Sequence, residues 1–244
     1  MADYQRNQVN YGASTAAGVE YDAGLRSYML GIYNYMALAL AVTGIAALGT
    51  AYFAQTNPAV AQALYASPLR WVIMFAPLAF VMVLSFGIHK LSTPAAQAAF
   101  WAFAAVMGIS ISWIFMVFTG SSIVQTFFVT AAAFGGLSLY GYTTQRNLSG
   151  MGSFLIMGVI GLIIASIVNI FLASSAMSFA ISVLGVLIFA GLTAYDTQRL
   201  KNEYDMVAGN AAVMARATIM GALSLYLNFI NMFMFLLQFL GNRE

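Results

Sequence analysis

The residue with the clearest chemical potential is Asp196, which directly follows a long apolar run, VLIFAGLTAY. No Asp or Glu occurs between Asp22 and Asp196. An ionisable residue beside a sequence long enough to cross a bilayer is costly, so its default interpretation is functional. The structural alternative is that Asp196 only marks the water-exposed end of its helix, because Arg199 and Lys201 follow closely.

Two amides can complete a site with this carboxylate. Asn228 and Asn231 interrupt the last apolar run, GALSLYLNFINMFMFLLQFLG, and their spacing of three places them on one helix face. A buried Asn in a membrane commonly makes an interhelical hydrogen bond, whereas a face with two such amides can also line a hydrated path. The candidate residues of an ion path are therefore Asp196, Asn228, Asn231 and Tyr195.

The sequence pattern argues against catalysis and metal binding. Intramembrane aspartyl proteolysis requires two facing carboxylates, and no second acid lies within an apolar run. The single histidine, His89, stands beside Lys90 with no nearby serine motif such as GxSxG. No cluster of His, Asp or Glu has the spacing of metal ligands, and the chain contains no cysteine. We therefore expect no enzyme, no bound metal and no cofactor.

The composition is that of an integral membrane protein. Of the 244 residues, 62% are hydrophobic and 7% are charged, which leaves too few charges to cover a soluble globule. The net charge of +2 comes from scattered basic residues, so nucleic acid is excluded as a partner. Residues 1–26 are polar and lack the pattern of a cleaved signal, and we predict that they form a flexible cytoplasmic tail.

The apolar runs predict one transmembrane domain over residues 27–244. About 20 apolar residues cross a bilayer, and seven such runs are present. We predict an all-α bundle of seven transmembrane helices, with the last helix at its centre because that helix is apolar around nearly its whole circumference. The predicted spans are Tyr28 to Phe53, Trp71 to Ile88, Ala95 to Phe118, Ile123 to Tyr142, Ser153 to Leu172, Ala176 to Tyr195 and Met220 to Leu240.

The positive residues predict the orientation, because Lys and Arg are retained on the cytoplasmic side during insertion. With seven spans, one side of the membrane carries only Arg70 and Arg243. The other side carries Arg6, Arg26, Lys90, Arg146, Arg199, Lys201 and Arg216. We therefore expect a cytoplasmic N-terminus, an external C-terminus and a position for Asp196 near the cytoplasmic mouth.

Two parts of the chain resemble each other. VMGISISWIFMVFTGSS (106–122) aligns with VIGLIIASIVNIFLASS (159–175), and GLSLYGYTTQR (136–146) aligns with GLTAYDTQR (191–199). The short connections TGSS and ASSA imply antiparallel neighbours, so we predict two parallel helix-hairpin repeats. Gly141 stands in the first copy where Asp196 stands in the second, which makes the carboxylate an addition to the scaffold.

Three blocks carry a resemblance to a known family. GLTAYDTQRLK (191–201), GALSLYLNFINMF (221–233) with the following LLQFLG, and SLYGYTTQRNLSGMG (138–152) resemble the signature blocks of the Bax inhibitor-1, or transmembrane Bax inhibitor motif, family. The resemblance covers the chain after the tail. It implies a seven-helix bundle of a bacterial inner membrane and a pH-sensitive calcium leak gated by two aspartates. The first aspartate corresponds to Asp196, and the second corresponds to Asn228.

The amide at position 228 changes the chemistry that this resemblance implies. Two close carboxylates tend to share one proton, which creates a pH switch, whereas Asn228 can donate an N–H to Asp196 and so favour its ionised form. A single charge also attracts Ca²⁺ less strongly, since calcium sites gather several oxygen ligands. Two functions stay open: a leak for Ca²⁺ or other cations, and a non-conducting regulator that binds another membrane protein, such as a protease or stress-response partner.

Overall fold

Seven long helices form the molecule. The computed structural model describes the backbone of residues 2–243 and the side chains of residues 23–243. All seven helices contain a stretch long and apolar enough to cross a membrane, which confirms the predicted count. They are α1 (Ala2–Thr56), α2 (Leu69–Gly87), α3 (Thr93–Ile111), α4 (Gly120–Thr143), α5 (Ser149–Leu172), α6 (Ser175–Val207) and α7 (Ala211–Leu240).

Short helical turns connect some of these helices. The connection between α1 and α2 contains an α-turn at Pro58–Ala61 and a π-turn at Gln62–Ala66, and α3 is followed by a turn at Ile114–Val117. The flexible tail predicted for residues 1–26 falls mainly on residues 1–22, whose side chains lie outside the described residues. That tail therefore stays a prediction.

Helices α6 and α7 extend well beyond the apolar runs that predict them. The sixth span was expected to end at Tyr195, yet α6 continues without a break to Val207, and α7 begins at Ala211 rather than near Met220. Hydropathy marks the bilayer and not the end of a helix, and the residues beyond each run include good helix formers such as Leu, Lys, Arg and Ala. Asp196 consequently lies inside a continuous helix instead of at its end.

Polar caps and one left-handed residue define the helix ends. The side chain of Thr119 accepts a hydrogen bond from the backbone N–H of Ser122 at 3.4 Å, and that of Asn210 accepts from the N–H of Ala212 at 3.0 Å. Such caps satisfy donors that have no partner within the helix. After α5, Ala173 adopts φ 48°, which reverses the chain within the short ASSA connection.

The last helix, α7, occupies the centre of the bundle. It packs against α1, α3, α4 and α6, and its apolar stretch is 61% buried, against 11 to 33% for the other six. A buried hydrogen-bonded cluster joins three of these helices: the hydroxyl of Thr43 lies 2.7 Å from that of Tyr226 and donates to the carbonyl oxygen of Ala104 at 2.9 Å. The predicted central position of the last helix is confirmed.

The two helix hairpins pack differently. Helices α5 and α6 pack along each other, as the ASSA connection predicts. Helix α4 instead packs on α6 and α7. It contacts the other half of the first hairpin mainly through the turn at Ile114–Val117, which follows α3. Gly141 permits this arrangement, because a Cβ there would collide with the backbone of Ala194. The first hairpin is therefore more open than predicted, and the parallel relation of the two repeats stays a prediction.

The C-terminal residues lie beside the TGSS connection. Phe118 and Arg243 form an isolated antiparallel β-bridge, and the N–H of Thr119 donates to the carbonyl oxygen of Asn242 at 3.0 Å. The N–H of Asn242 donates in turn to the hydroxyl of Ser122 at 3.0 Å. The C-terminus and the connection between α3 and α4 thus share one end of the bundle, as seven spans require. The membrane side of that end stays a prediction.

Candidate functional site

Asp196 and Asn228 meet where α6 packs along α7. Nδ2 of Asn228 donates to Oδ2 of Asp196 at 2.8 Å. The two residues are 9% and 5% exposed, so this hydrogen bond lies inside the protein. The contact expected between the sixth and seventh helices is therefore present and direct. The extension of α6 beyond Tyr195 makes it possible, because it keeps Asp196 in helical register against α7.

Arg199 occupies the other oxygen of the carboxylate. Its Nε and Nη2 lie 3.0 and 2.9 Å from Oδ1 of Asp196, and Nη2 lies 3.4 Å from the hydroxyl of Ser224. Charge-assisted hydrogen bonds of this kind are stronger than neutral ones and stabilise the ionised carboxylate. Asp196 thus receives a guanidinium on one oxygen and an amide on the other.

From the sequence, Arg199 was expected only to mark the cytoplasmic side and the water-exposed end of its helix. Its spacing of three from Asp196 places the two side chains on one helix face, and this was the signal for an ion pair. Glu203 extends the same face, with its Oε2 3.7 Å from Nη1 of Arg199. The charged site is therefore a row of three residues on α6, of which the sequence interpretation selected one.

The site faces a chamber between α2, α5, α6 and α7, which we call the central cavity. Its volume is about 620 Å³, and its walls are mostly apolar. Helix α5 packs mainly on α6, so the space between α5 and α7 stays open. From Ser224 to Phe235 the cavity follows α7 for roughly 17 Å at 1.5 Å per residue. That length is more than half of the hydrocarbon core, which is about 30 Å thick.

The polar lining of the central cavity includes most of the predicted residues. Asp196, Asn228 and Asn231 all line it, together with Ser224. Asn231 does not contact the carboxylate, and its Nδ2 donates to the carbonyl oxygen of Leu227 on its own helix at 2.8 Å. The structure thus brings three of the four predicted residues to the wall of one chamber.

A smaller chamber lies on the other side of Arg199, and we call it the end cavity. It has a volume of about 340 Å³. Tyr195 lines this chamber and not the central cavity, and its ring packs against Gly152 of α5. The fourth predicted residue therefore lies beside Arg199. The residues of the end cavity are Ser149, Tyr195, Gln198, Arg199, Asn202, Glu203 and Met206.

The residues that follow the buried carboxylate brace the connection between α4 and α5. The side chain of Gln198 accepts from the N–H of Leu148 and donates to the carbonyl oxygen of Arg146, each at 2.8 Å. Nζ of Lys201 donates to the carbonyl oxygen of Tyr142 at 2.9 Å. This part of the GLTAYDTQRLK block is thus structural, and it holds the charged row of α6 in place.

The site combines several kinds of oxygen atom. Among the described residues, no group of three or more His, Cys, Asp or Glu side chains is placed to hold a metal ion. The carboxylate, amide and hydroxyl oxygens around Asp196 can replace part of a cation's hydration shell. A tight calcium site takes six to eight oxygen ligands, which is more than these residues supply.

Comparison with known proteins identifies the family. The family model described as Inhibitor of apoptosis-promoting Bax1 matches residues 25–244. The chain is 50% identical to an uncharacterised protein of Caulobacter vibrioides over the full length of both. It is 43% identical to the inner membrane protein YbhL of Escherichia coli, over 93% of this chain and 96% of YbhL. The chain therefore belongs to the Bax inhibitor-1 family.

Proposed function

We propose that the protein is a cation leak of a bacterial inner membrane, with Asp196 as the residue that attracts the ion. The observation that carries this proposal is a buried carboxylate on the wall of a chamber between four helices that are long and apolar enough to cross a membrane. A charge in that position is expensive and is typical of ion pathways. The inner membrane is the location printed in the name of YbhL, which supports the same location here.

The proposed cargo is Ca²⁺ together with monovalent cations. One carboxylate, two amides and two serine hydroxyls line the central cavity, and their oxygens are the hard ligands that such ions accept. A single negative charge gives weak discrimination between divalent and monovalent ions. We propose no cofactor and no catalytic role for the protein.

The proposed leak has only a weak pH response. Arg199 and Asn228 both donate hydrogen bonds to the carboxylate of Asp196, and neither of these two side chains titrates between acid and neutral pH. The charged and titratable groups around the carboxylate are Arg199 and Glu203 on α6, while α7 contributes the neutral Ser224 and Asn228. A switch that depends on two carboxylates sharing a proton is therefore disabled by Asn228.

Efflux from proteoliposomes tests this function. Purified wild type and Asp196→Asn are reconstituted at equal density, and the release of Ca²⁺ and K⁺ is recorded at neutral pH. We expect Asp196→Asn to slow the efflux of both ions by about tenfold or more, because the charge that concentrates cations is lost. Asp205→Asn, the same change at an exposed position of α6, should leave the rates at the wild-type level.

Equal efflux from wild type and Asp196→Asn, with both proteins folded, would contradict the role of this carboxylate. Absence of efflux from every folded variant would contradict the leak itself. The second outcome would favour the non-conducting regulator. That function predicts a membrane-protein partner that co-purifies with the protein.

A further inference from the structure

We propose that Arg199 is a tethered cation that closes the passage between the central cavity and the end cavity, and that the passage opens when its guanidinium moves from Asp196 to Glu203. This inference deepens the cation leak proposed above and rests on it. The row of charges on α6 then has a single role. The guanidinium of Arg199, which belongs to the chain itself, occupies the place of the ion.

The position of Arg199 between two chambers is the first support. Arg199 itself lines the end cavity, whereas its partners Asp196 and Ser224 line the central cavity. Nη2 of Arg199 reaches both partners, at 2.9 and 3.4 Å. The guanidinium therefore lies at the boundary, and an ion that moves from one chamber to the other must pass it.

The contacts of Arg199 are those that a permeating cation would make. Oδ1 of Asp196 and the hydroxyl of Ser224 are oxygen ligands of the kind that hard cations prefer, and both already contact the guanidinium. A guanidinium is charged at every physiological pH, so it competes with an arriving cation for these oxygens and repels it. In the observed arrangement, the negative charge of Asp196 is neutralised by Arg199 of the same helix.

Glu203 supplies the alternative position. It lies four residues after Arg199 on the same helix face, with Oε2 3.7 Å from Nη1. Arg199 is 40% exposed at its side chain and Asp196 only 13%, so the guanidinium has room to turn while the carboxylate stays in place. Rotation of an exposed side chain takes picoseconds to nanoseconds, and the gate needs no movement of a helix.

A buried hydroxyl beside this pair offers a further partner. Tyr28 of α1 is 3% exposed, and its hydroxyl has no hydrogen-bond partner among the side chains that the structure describes. Its ring packs against that of Tyr204, the residue that follows Glu203, with 5.7 Å between the ring centroids. A phenol both donates and accepts, so it can bind either member of the pair after the guanidinium leaves Asp196.

The test uses the absence of native cysteine, which lets one introduced cysteine report alone. Asn231→Cys places a thiol in the central cavity, and Met206→Cys places one in the end cavity. Sealed inverted vesicles expose the Arg199 end under the orientation expected from the sequence. A membrane-impermeant, positively charged methanethiosulfonate is added to them, and right-side-out vesicles report access from the other side.

We expect Arg199→Gln to accelerate labelling at position 231 by about tenfold or more, because a repulsive charge is removed and Asp196 then attracts the cationic reagent. Arg199→Lys retains a positive charge and should keep labelling slow. Glu203→Gln removes the alternative position and should slow labelling further. The thiol introduced at position 206 lies outside the gate, so its rate should change much less between backgrounds than the rate at position 231.

If Asn231→Cys is labelled at the same rate in the wild-type background and in the Arg199→Gln background, the proposed gate is wrong. The double variant Asp196→Asn/Arg199→Gln removes both charges together, so it keeps the test valid if a lone buried carboxylate prevents folding. Labelling at position 231 should be faster in this double variant than in the single variant Asp196→Asn. Labelling requires no ion flux, so a failure of the gate and a failure of the leak give different results.

Discussion

The side chain at position 228 decides how the carboxylate responds to protons. Asn228→Asp would place a second carboxylate where an amide now lies 2.8 Å from Asp196. Two charges so close cannot both ionise cheaply, so the pair would hold a proton that is released as the pH rises. We predict that cation efflux from Asn228→Asp becomes more steeply pH-dependent near neutrality than efflux from wild type, measured in proteoliposomes between acid and neutral pH.

Asn231→Asp is the matched control for this prediction. It adds the same charge to the same cavity, but Asn231 contacts its own backbone and not Asp196. Its effect on the pH profile should therefore be smaller. Identical profiles for wild type, Asn228→Asp and Asn231→Asp would contradict the assignment of position 228.

The buried hydroxyls of Thr43 and Tyr226 give a prediction for stability. Thr43→Val leaves the fully buried hydroxyl of Tyr226 without the partner it has at 2.7 Å, at a cost of about 2 kcal/mol. Tyr226→Phe is milder, about 1 kcal/mol, because Thr43 keeps its bond to the carbonyl of Ala104. Thermal unfolding in detergent should rank wild type above Tyr226→Phe and Tyr226→Phe above Thr43→Val; the reverse order of the two variants would refute this account.

Some of the site could be predicted from residue types and spacing. Asp196 stood out because acids are absent from the preceding spans, and Asn228 was paired with it through the resemblance of the two motifs. Arg199 and Glu203 were missed, since charges after an apolar run resemble an ordinary cytoplasmic loop. Only the continuation of α6 places them on the helix face of Asp196.

At the scale of helices, the close approach of α4 to α6 depends on Gly141. A Cβ at this position would meet the backbone of Ala194, which cannot move aside as a side chain can. We predict that Gly141→Ala lowers the free energy of unfolding by about 1 to 3 kcal/mol, the usual cost of overpacking. Thermal unfolding of the purified variant in detergent measures the loss.

Gly136 of the same helix provides the comparison. No atom lies within 4 Å of a Cβ built at Gly136, so Gly136→Ala should be neutral or stabilise the helix by up to about 1 kcal/mol. Equal stability losses for Gly136→Ala and Gly141→Ala would show that helix propensity, and not the contact with α6, sets the effect.

Helix positions could be predicted better than helix contacts. The fifth span was expected to end at Leu172, and α5 ends there, because hydropathy and the ASSA turn agree at that point. The partner of α4 could not be predicted. Several helices offer equally apolar faces in a membrane, and small residues at particular positions, such as Gly141, decide which faces approach.

For the whole molecule, the distribution of Lys and Arg predicts an asymmetric topology. A reporter fused after Glu244 should be external, and a reporter inserted at Gly209, in the turn between α6 and α7, should be cytoplasmic. Paired alkaline phosphatase and fluorescent-protein fusions measure this in cells. An internal C-terminus would contradict the orientation, and with it the assignment of the end cavity to the cytoplasmic side.

The central cavity could not be predicted from the sequence at all. It exists because α5 packs mainly on α6 and leaves the Asn228 face of α7 open. The sequence of α5 is mostly apolar, and lipid and protein contacts are equally acceptable to such a helix. Cavities of this kind follow from the arrangement of all seven helices, whereas local patterns report only each helix by itself.

The account depends most on the claim that cations pass beside Asp196. The most direct test is the reversal potential of currents through the purified protein in a planar bilayer under a KCl gradient. Wild type should reverse near the equilibrium potential of K⁺, and Asp196→Asn should shift toward zero because the charge that excludes anions is gone. An identical reversal potential for the two proteins, or no current from folded wild type, would contradict the claim.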